Sequence, residues 1–273
     1  MAGLNDAIRA NFDASVPAYE AHERCTGRFG ALARPLRAEM SARADGPLED
    51  LLDAGAGTGI STAVLAESGS RTVALDPSRG MLRANDADDP VQGDFDRLLF
   101  GDDTFDGVAF TASLFLYRRT EALIESTRVR YQSRLATVLS DGIVPDPAVA
   151  VREAARVCRP GGVVGAVAPL GWVDDDGVDA FERLERDSRS PAGADAVEGG
   201  LSEALPTETG TWRFATTAGA VGRFHAIPAM ATRLYPADPP AERVREATDL
   251  VAVLEGTFEE RWRWVVGVAA GPD

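Results

Sequence analysis

The chain has 273 residues, 45% hydrophobic and 26% charged, which excludes wholesale disorder and provides enough length to bury a core without a disulfide or metal staple. Acidic residues number 43 against 28 basic ones, every one of them arginine, and the net charge of −15 opposes nucleic acid or an anionic membrane as the main partner. A lysine-free, aspartate-rich chain suits a halophilic protein, because the Debye length shrinks to about 3 Å at 1 M salt. The competing explanation is a GC-rich genome that replaces lysine codons with arginine codons.

Residues 4–43 read as helical, with a restart at Ser15-Val16-Pro17 and a stop at Asp45-Gly46-Pro47. No basic n-region or apolar core opens the chain, so the expectation is a soluble, cytoplasmic protein without a signal peptide. Leu48, Leu51 and Leu52 form a strand leading into Asp53, a glycine loop and a helix over Ser61–Ser68. Arg71–Leu75 is a second strand, ending at Asp76 before Pro77, which fits a helix's first turn. Val91-Gln92 ends a third strand before Gly93-Asp94, and Phe105–Phe110 is a fourth. A helix over Ala148–Val157 precedes a fifth strand, Gly162–Ala168. Strands alternating with helices imply βαβ crossovers, a mostly parallel sheet and a ligand crevice at the strands' carboxyl ends.

The C-terminal part differs in character. Asp174–Arg189 reads as a charged helix, Gly193–Gly210 as a loop or lid, Phe224–Leu234 as a strand, Pro240–Leu254 as a helix and Trp262–Ala269 as a closing strand. The longest apolar stretch, Gly161–Val173, is broken by glycines and Pro169 and falls short of the roughly 20 residues of a membrane span. Two cysteines, Cys25 and Cys158, are too few and too far apart for a disulfide framework or thiolate metal site, and both are expected as buried apolar groups. Two histidines, His22 and His225, oppose a histidine-ligated metal; His225 falls in an expected strand and reads as structural.

Asp53-Ala54-Gly55-Ala56-Gly57-Thr58-Gly59 follows a strand and opens a helix, the context of a nucleotide-binding loop. A dinucleotide loop would place its third glycine at position 60, which is Ile60. Asp53, directly ahead of the loop, would repel a pyrophosphate by a few kcal/mol, roughly, at a protein-like dielectric. A ligand bearing an ammonium and a sulfonium would be attracted instead, and S-adenosylmethionine is such a ligand. At the end of the second strand, Asp76 is placed to accept from both hydroxyls of a ribose. At the end of the third, Asp94 can accept from an adenine amino group while Phe95 covers a ring face.

The ordered set of Leu52–Gly59, Leu75-Asp76-Pro77-Ser78-Arg79-Gly80-Met81-Leu82, Gly93-Asp94-Phe95, Phe105-Asp106-Gly107-Val108 and Arg156–Gly162 resembles the class I S-adenosylmethionine-dependent methyltransferases. Within them it looks closest to the small-molecule group typified by ubiquinone and menaquinone biosynthesis enzymes, whose N-terminal helix Asn11-Phe12-Asp13 and Ala18-Tyr19-Glu20 also fit. The resemblance implies an α/β, Rossmann-like, doubly wound and mostly parallel seven-stranded sheet with an antiparallel last strand, for which Glu259–Ala269 is the candidate. An N-terminal helical cap over 1–46 would precede the cofactor-binding domain, 47–273, with a lid-like region over 174–215. By position, the family's methionine end lies on the backbone of Gly55, Ala56, Gly57, Thr58 and Gly59, behind Asp53 and Ala54. Asp76, Pro77 and Met81 take the ribose side and Gly93, Asp94 and Phe95 the adenine side. Thr111, Ala112 and Ser113 take the place where cofactor and small-molecule substrate meet.

One segment departs from the family pattern. Between Phe115-Leu116-Tyr117 and Pro145-Asp146-Pro147 an insert, Arg118–Val144, carries five arginines against Glu121, Glu125 and Asp141. Leu123, Ile124, Leu135, Val138 and Leu139 could form one apolar helix face. The insert reads either as a lid or subsite attracting an anionic substrate, or as a solvated helix paired with the acidic surface. Tyr19 and His22, at i, i+3 on the N-terminal helix, are the catalytic candidates, His22 as a proton acceptor; a surface histidine is the alternative. No Asn-Pro-Pro-aromatic sequence follows the fourth strand, which disfavours methylation of DNA amino groups, and scattered cysteines disfavour arsenite. The competing functions are a non-catalytic S-adenosylmethionine-binding module and a nicotinamide-dependent oxidoreductase, the latter opposed by Asp53 and Ile60.

Overall fold

Seven apolar or alternating runs pair into one sheet in the computed structural model, which describes residues 4–88, 90–116, 147–185, 190–235 and 238–270. They are β1 (Asp50–Ala54), β2 (Arg71–Asp76), β3 (Val91–Gln92), β4 (Phe105–Thr111), β5 (Cys158–Asp174), β6 (Thr207–Thr217) and β7 (Thr257–Val268), in the order β3-β2-β1-β4-β5-β7-β6. β1 to β5 run parallel, and β7 lies antiparallel between β5 and β6. The described helices are α1 (Leu4–Asp13), α2 (Val16–Thr26), α3 (Arg28–Ser41), α4 (Ile60–Ala66), α5 (Arg79–Arg83) and α6 (Pro147–Val157). They continue with α7 (Ala180–Arg183), α8 (Ser190–Ala204), α9 (Ala218–His225), α10 (Pro228–Leu234) and α11 (Pro240–Val251).

Period-two alternation sends Leu52, Val108, Phe110 and Val164 to one sheet face and Leu51, Ala109, Val163 and Val167 to the other. α6 and α8 cover the first face through Val151, Ala154, Val197 and Leu201, while α3 and α4 cover the second through Leu32, Leu36, Met40 and Leu65. Each such aliphatic side chain gains about 1.5–3 kcal/mol from full burial. The neighbours of β1, with β2 on one side and β4 on the other, create the switch point where ligands bind in open α/β sheets.

The N-terminal helical stretch is three helices. Ser15 separates α1 from α2, Pro17 sits in the first turn of α2, and Gly27, left-handed at φ 57°, ends α2. Glu23 then reaches over the junction and accepts from the Phe29 and Gly30 amides at 2.9 and 3.1 Å, capping α3. Arg28 anchors the junction to the sheet's antiparallel edge through a buried ion pair with Glu260 at 2.6 Å, its guanidinium lying over Phe214.

Several expectations are corrected. β5 does not stop at Ala168: it continues to Asp174 across a register shift between Pro169 and Gly171, a bulge that absorbs the proline's missing N–H. After it, Asp174 accepts from the Asp176 and Val178 amides, so a side-chain-closed turn replaces the start of the expected helix, and among the described residues up to 185 the short α7 follows. Residues 193–210 are not a loop; they form most of α8 and the start of β6, with Ala194, Val197 and Leu201 buried at helical spacing. Residues 224–234 are not a strand, because Pro228 opens α10 and Thr217 caps α9 through the Ala220 amide. The strand assigned there is β6 instead. His225 is buried at the end of α9 with Nδ1 against the Val221 carbonyl. Cys25 is exposed on α2, and only Cys158 is buried. The insert 118–144 lies outside the described residues. Among those described, no helix is long and apolar enough to cross a membrane.

Candidate active site

The carboxyl ends of β1, β2, β3 and β4 converge on a cavity of about 980 Å³, counted with its open mouth. The loop after β1 folds back over β2, the Gly55 and Ala56 amides both donating to the Leu75 carbonyl. Gly55 stands at φ 87°, and a Cβ there would lie 2.3 Å from Ser113 Cβ. Only glycine lets the β1 and β4 ends approach this closely, and Ser113 seals the contact by donating to the Ala54 carbonyl at 2.7 Å.

Asp76 lies on the cavity wall with both oxygens engaged: Oδ2 accepts from the Gly57 amide at 3.0 Å and Oδ1 from the Ser78 amide at 2.7 Å. Burial, the largest influence, outweighs these hydrogen bonds and raises its pKa to about 6. Asp94 faces the same end and accepts from Arg9 of α1 at 2.6 Å, beside Phe95 and Pro77. Met81 of α5 completes this side.

Asp53 does not line the cavity. It is fully buried, and Oδ2 accepts from Ser61 and Thr62 of α4 at 2.6 and 2.7 Å while Oδ1 has no partner. Burial raises its pKa to about 6 against the lowering effect of those hydroxyls. Ala54, Ala56, Thr58 and Gly59 belong to the end of β1 and its loop, and Gly93 to the turn after β3, without lining the cavity. Asn85 supports that loop by donating to the Gly57 carbonyl at 3.3 Å.

At the end of β4, Thr111, Ala112 and Ser113 all reach the wall. The Thr111 hydroxyl is buried without a partner, and Ala112 takes a left-handed φ of 58° that costs a non-glycine residue on the order of 1 kcal/mol. Beyond these residues the wall turns apolar: Phe12, Phe29, Phe115, Phe224, Met230 and Trp262. Tyr19 stacks flat on Phe29 at 4.4 Å and lines the cavity. Its pKa is well above the usual phenol value, first through burial and then through Glu23, Asp76 and Asp53, so it stands as a neutral phenol. His22 lies behind that wall rather than in it or on the surface. Its ring is buried between Phe29 and Phe224, 5.6 Å from each.

Arg9, Phe224, Ile227 and Met230 are cavity residues that the sequence reading missed. Pro228 at a helix's first turn was the available signal for the last three; a lone arginine in a helical stretch offers none.

A family profile described as a methyltransferase domain matches residues 52–132. Demethylmenaquinone methyltransferase of Mycobacterium tuberculosis is 38% identical over 128 residues, covering 46% of this chain and 43% of the relative. The enzyme of the same name from Mycolicibacterium vanbaalenii is 37% identical, covering 46% and 44%. The chain therefore spans less than half the length of these curated relatives. The crystal structure of the YcgJ protein from Bacillus subtilis superposes with a TM-score of 0.51 at 18% identity, over 87% of this chain and 99% of that one, a likeness of fold. Sheet order and the glycine loop after β1 define a Rossmann-like, doubly wound α/β fold. Over residues 52–132 the chain is thus similar to a methyltransferase domain.

Proposed function

We propose that the chain is an S-adenosylmethionine-dependent methyltransferase acting on a small, uncharged, ring-bearing acceptor in the cytoplasm. The observation that carries this reading is a single cavity with two chemically different ends, meeting at Thr111–Ser113. One end offers carboxylates and the backbone at Gly55, where a Cβ has no room; the other is an aromatic and aliphatic wall. A positively charged nucleoside ligand fits the first end: Asp76 has lone pairs left for ribose hydroxyls, and Asp94 with Phe95 suits an adenine amino group and ring face. The Gly55–Gly57 backbone is left for the methionine portion. Bound there, S-adenosylmethionine supplies an electrophilic methyl carbon on a sulfonium.

What remains for the chain is to align an acceptor lone pair with that carbon and to exclude water, tasks the apolar wall performs. Tyr19, neutral on the wall, is a hydrogen-bond donor at the acceptor's edge. His22 supports the wall through Phe29 and Phe224. An apolar ring-bearing acceptor agrees with the name of the mycobacterial relatives, which covers their matched half only.

Calorimetry with S-adenosylmethionine and with NAD, followed by transfer of labelled methyl into a metabolite extract, tests the reading. Binding of the first ligand and a labelled apolar product are expected. Binding without transfer would indicate a non-catalytic binding module, and preference for NAD an oxidoreductase.

A further inference from the structure

The two carboxylates at the nucleoside end are both held from outside by one face of α1. Arg9 and Asp13, one helical turn apart, point the same way. Arg9 donates to Asp94. Asp13 Oδ1 accepts from the Ser78 hydroxyl at 2.6 Å and from the Gly80 amide at 2.7 Å. Ser78 is fully buried and engaged at both ends: its amide donates to Asp76 and its hydroxyl to Asp13, while the hydroxyl also accepts from the Met81 amide at 3.1 Å. A hydrogen-bonded chain thus runs from Asp76 through Ser78 to a helix more than sixty residues away in sequence.

We propose that α1 is a positioning element of the cofactor site: Asp13 fixes Asp76 through Ser78, and Arg9 fixes Asp94. The inference rests on the S-adenosylmethionine reading above. A site whose acceptors are held in place before binding loses less freedom on binding, so affinity depends on a helix whose Asp13 never touches the ligand.

Gly80 separates this role from simple helix stability. Alanine in the first turn of α5 does not weaken that helix, yet a Cβ at Gly80 would lie 2.9 Å from Asp13 Cα and force α1 away. The test is the Kd for S-adenosylmethionine by calorimetry on parent, Asp13→Ala, Gly80→Ala and Asp13→Asn, with circular dichroism to confirm folding and hydrogen exchange read at the Gly80 amide. Asp13→Ala and Gly80→Ala should each bind about tenfold more weakly and exchange that amide faster. Asp13→Asn keeps an oxygen for Ser78 and Gly80 and should stay within about threefold of the parent. A parent that binds while Asp13→Ala and Gly80→Ala, or Gly80→Ala alone where Asp13→Ala does not fold, bind equally well overturns the positioning role and leaves the methyl-donor reading standing. Equal loss in Asp13→Asn also overturns it, assigning the effect to charge. A parent that does not bind S-adenosylmethionine overturns both.

Discussion

His22→Phe should convert an acid-labile packing contact into a pH-independent one. His22 is only 4% exposed, and neither ring nitrogen has a partner. Burial above all, then the charges of Arg223 and Arg28, lower its pKa from 6.5 to about 4. As pH falls below 6.5 the unfolded chain takes up the imidazole proton first. Stability is therefore intact above that value and lost progressively down to about pH 4. Between pH 7 and pH 5 the loss amounts to about 2 kcal/mol. Phenylalanine fills a similar slot beside Phe29 and Phe224 and carries no proton. The stability difference between variant and parent should therefore widen by about 2 kcal/mol, or about 4–8 °C in Tm for a chain of this size. Urea unfolding at pH 7 and pH 5, followed by tryptophan fluorescence, measures it, and carboxylates common to both proteins cancel in the comparison. A difference that stays flat would refute the reasoning, since it would mean that His22 keeps its proton in the folded protein.

Three further outcomes follow from the site and the charge. Asp53 and Asp76, both raised to about 6 chiefly by burial, should be ionised to hold a cationic ligand, so the Kd for S-adenosylmethionine should weaken at least about tenfold from pH 7 to pH 5. The same raised values stabilise the unliganded protein as pH falls, the native state binding more protons than the unfolded one between about pH 4 and 6; a pH-independent Kd would sink this account. Gly55→Ala drives a Cβ to 2.3 Å from Ser113 and should abolish measurable cofactor binding by calorimetry, and retained affinity would show that the β1 and β4 ends need not touch. With a net charge of −15, we propose that the protein gains stability from dilute buffer to 1 M salt as self-repulsion is screened, and a Tm unchanged across that range would contradict a halophilic surface.

The parallel half of the sheet was legible because its chemistry is local. β1 and β4 are buried almost throughout and β2 over its second half, so each reads as a short apolar run; Asp53 stands next to the last position of β1, and Asp76, which lines the site, ends β2. The antiparallel half follows a different logic. β6 is an edge strand whose Trp212 and Phe214 pack inward while Thr211, Arg213 and Ala215 face solvent, and its threonine- and glycine-rich composition resembles a loop until β7 is there to pair with it. The stretch 224–234 lacks strand alternation, and Ile227-Pro228 marks a helix start, a signal overridden by the expectation of one more strand.

The site divides along the same line. Asp76, Asp94, Phe95 and Thr111–Ser113 stand where strands end, and strand ends can be located one at a time. What holds and roofs them is set by contacts between distant segments: Arg9 on Asp94, Asp13 on Ser78, and Phe224 and Met230 lining the same cavity as Tyr19. Asp53 is the instructive case. Its position before the glycine loop suggested a carboxylate offered to the ligand, whereas its side chain faces Ser61 and Thr62 and braces the first turn of α4. One residue's place in the chain determines which loop it precedes, but the direction of its side chain depends on the hydroxyls of a helix that must first pack against the strand. The charge still acts on the cavity through the loop, raising the pKa values of Asp76 and Tyr19, so its electrostatic role and its bracing role coexist in one carboxylate.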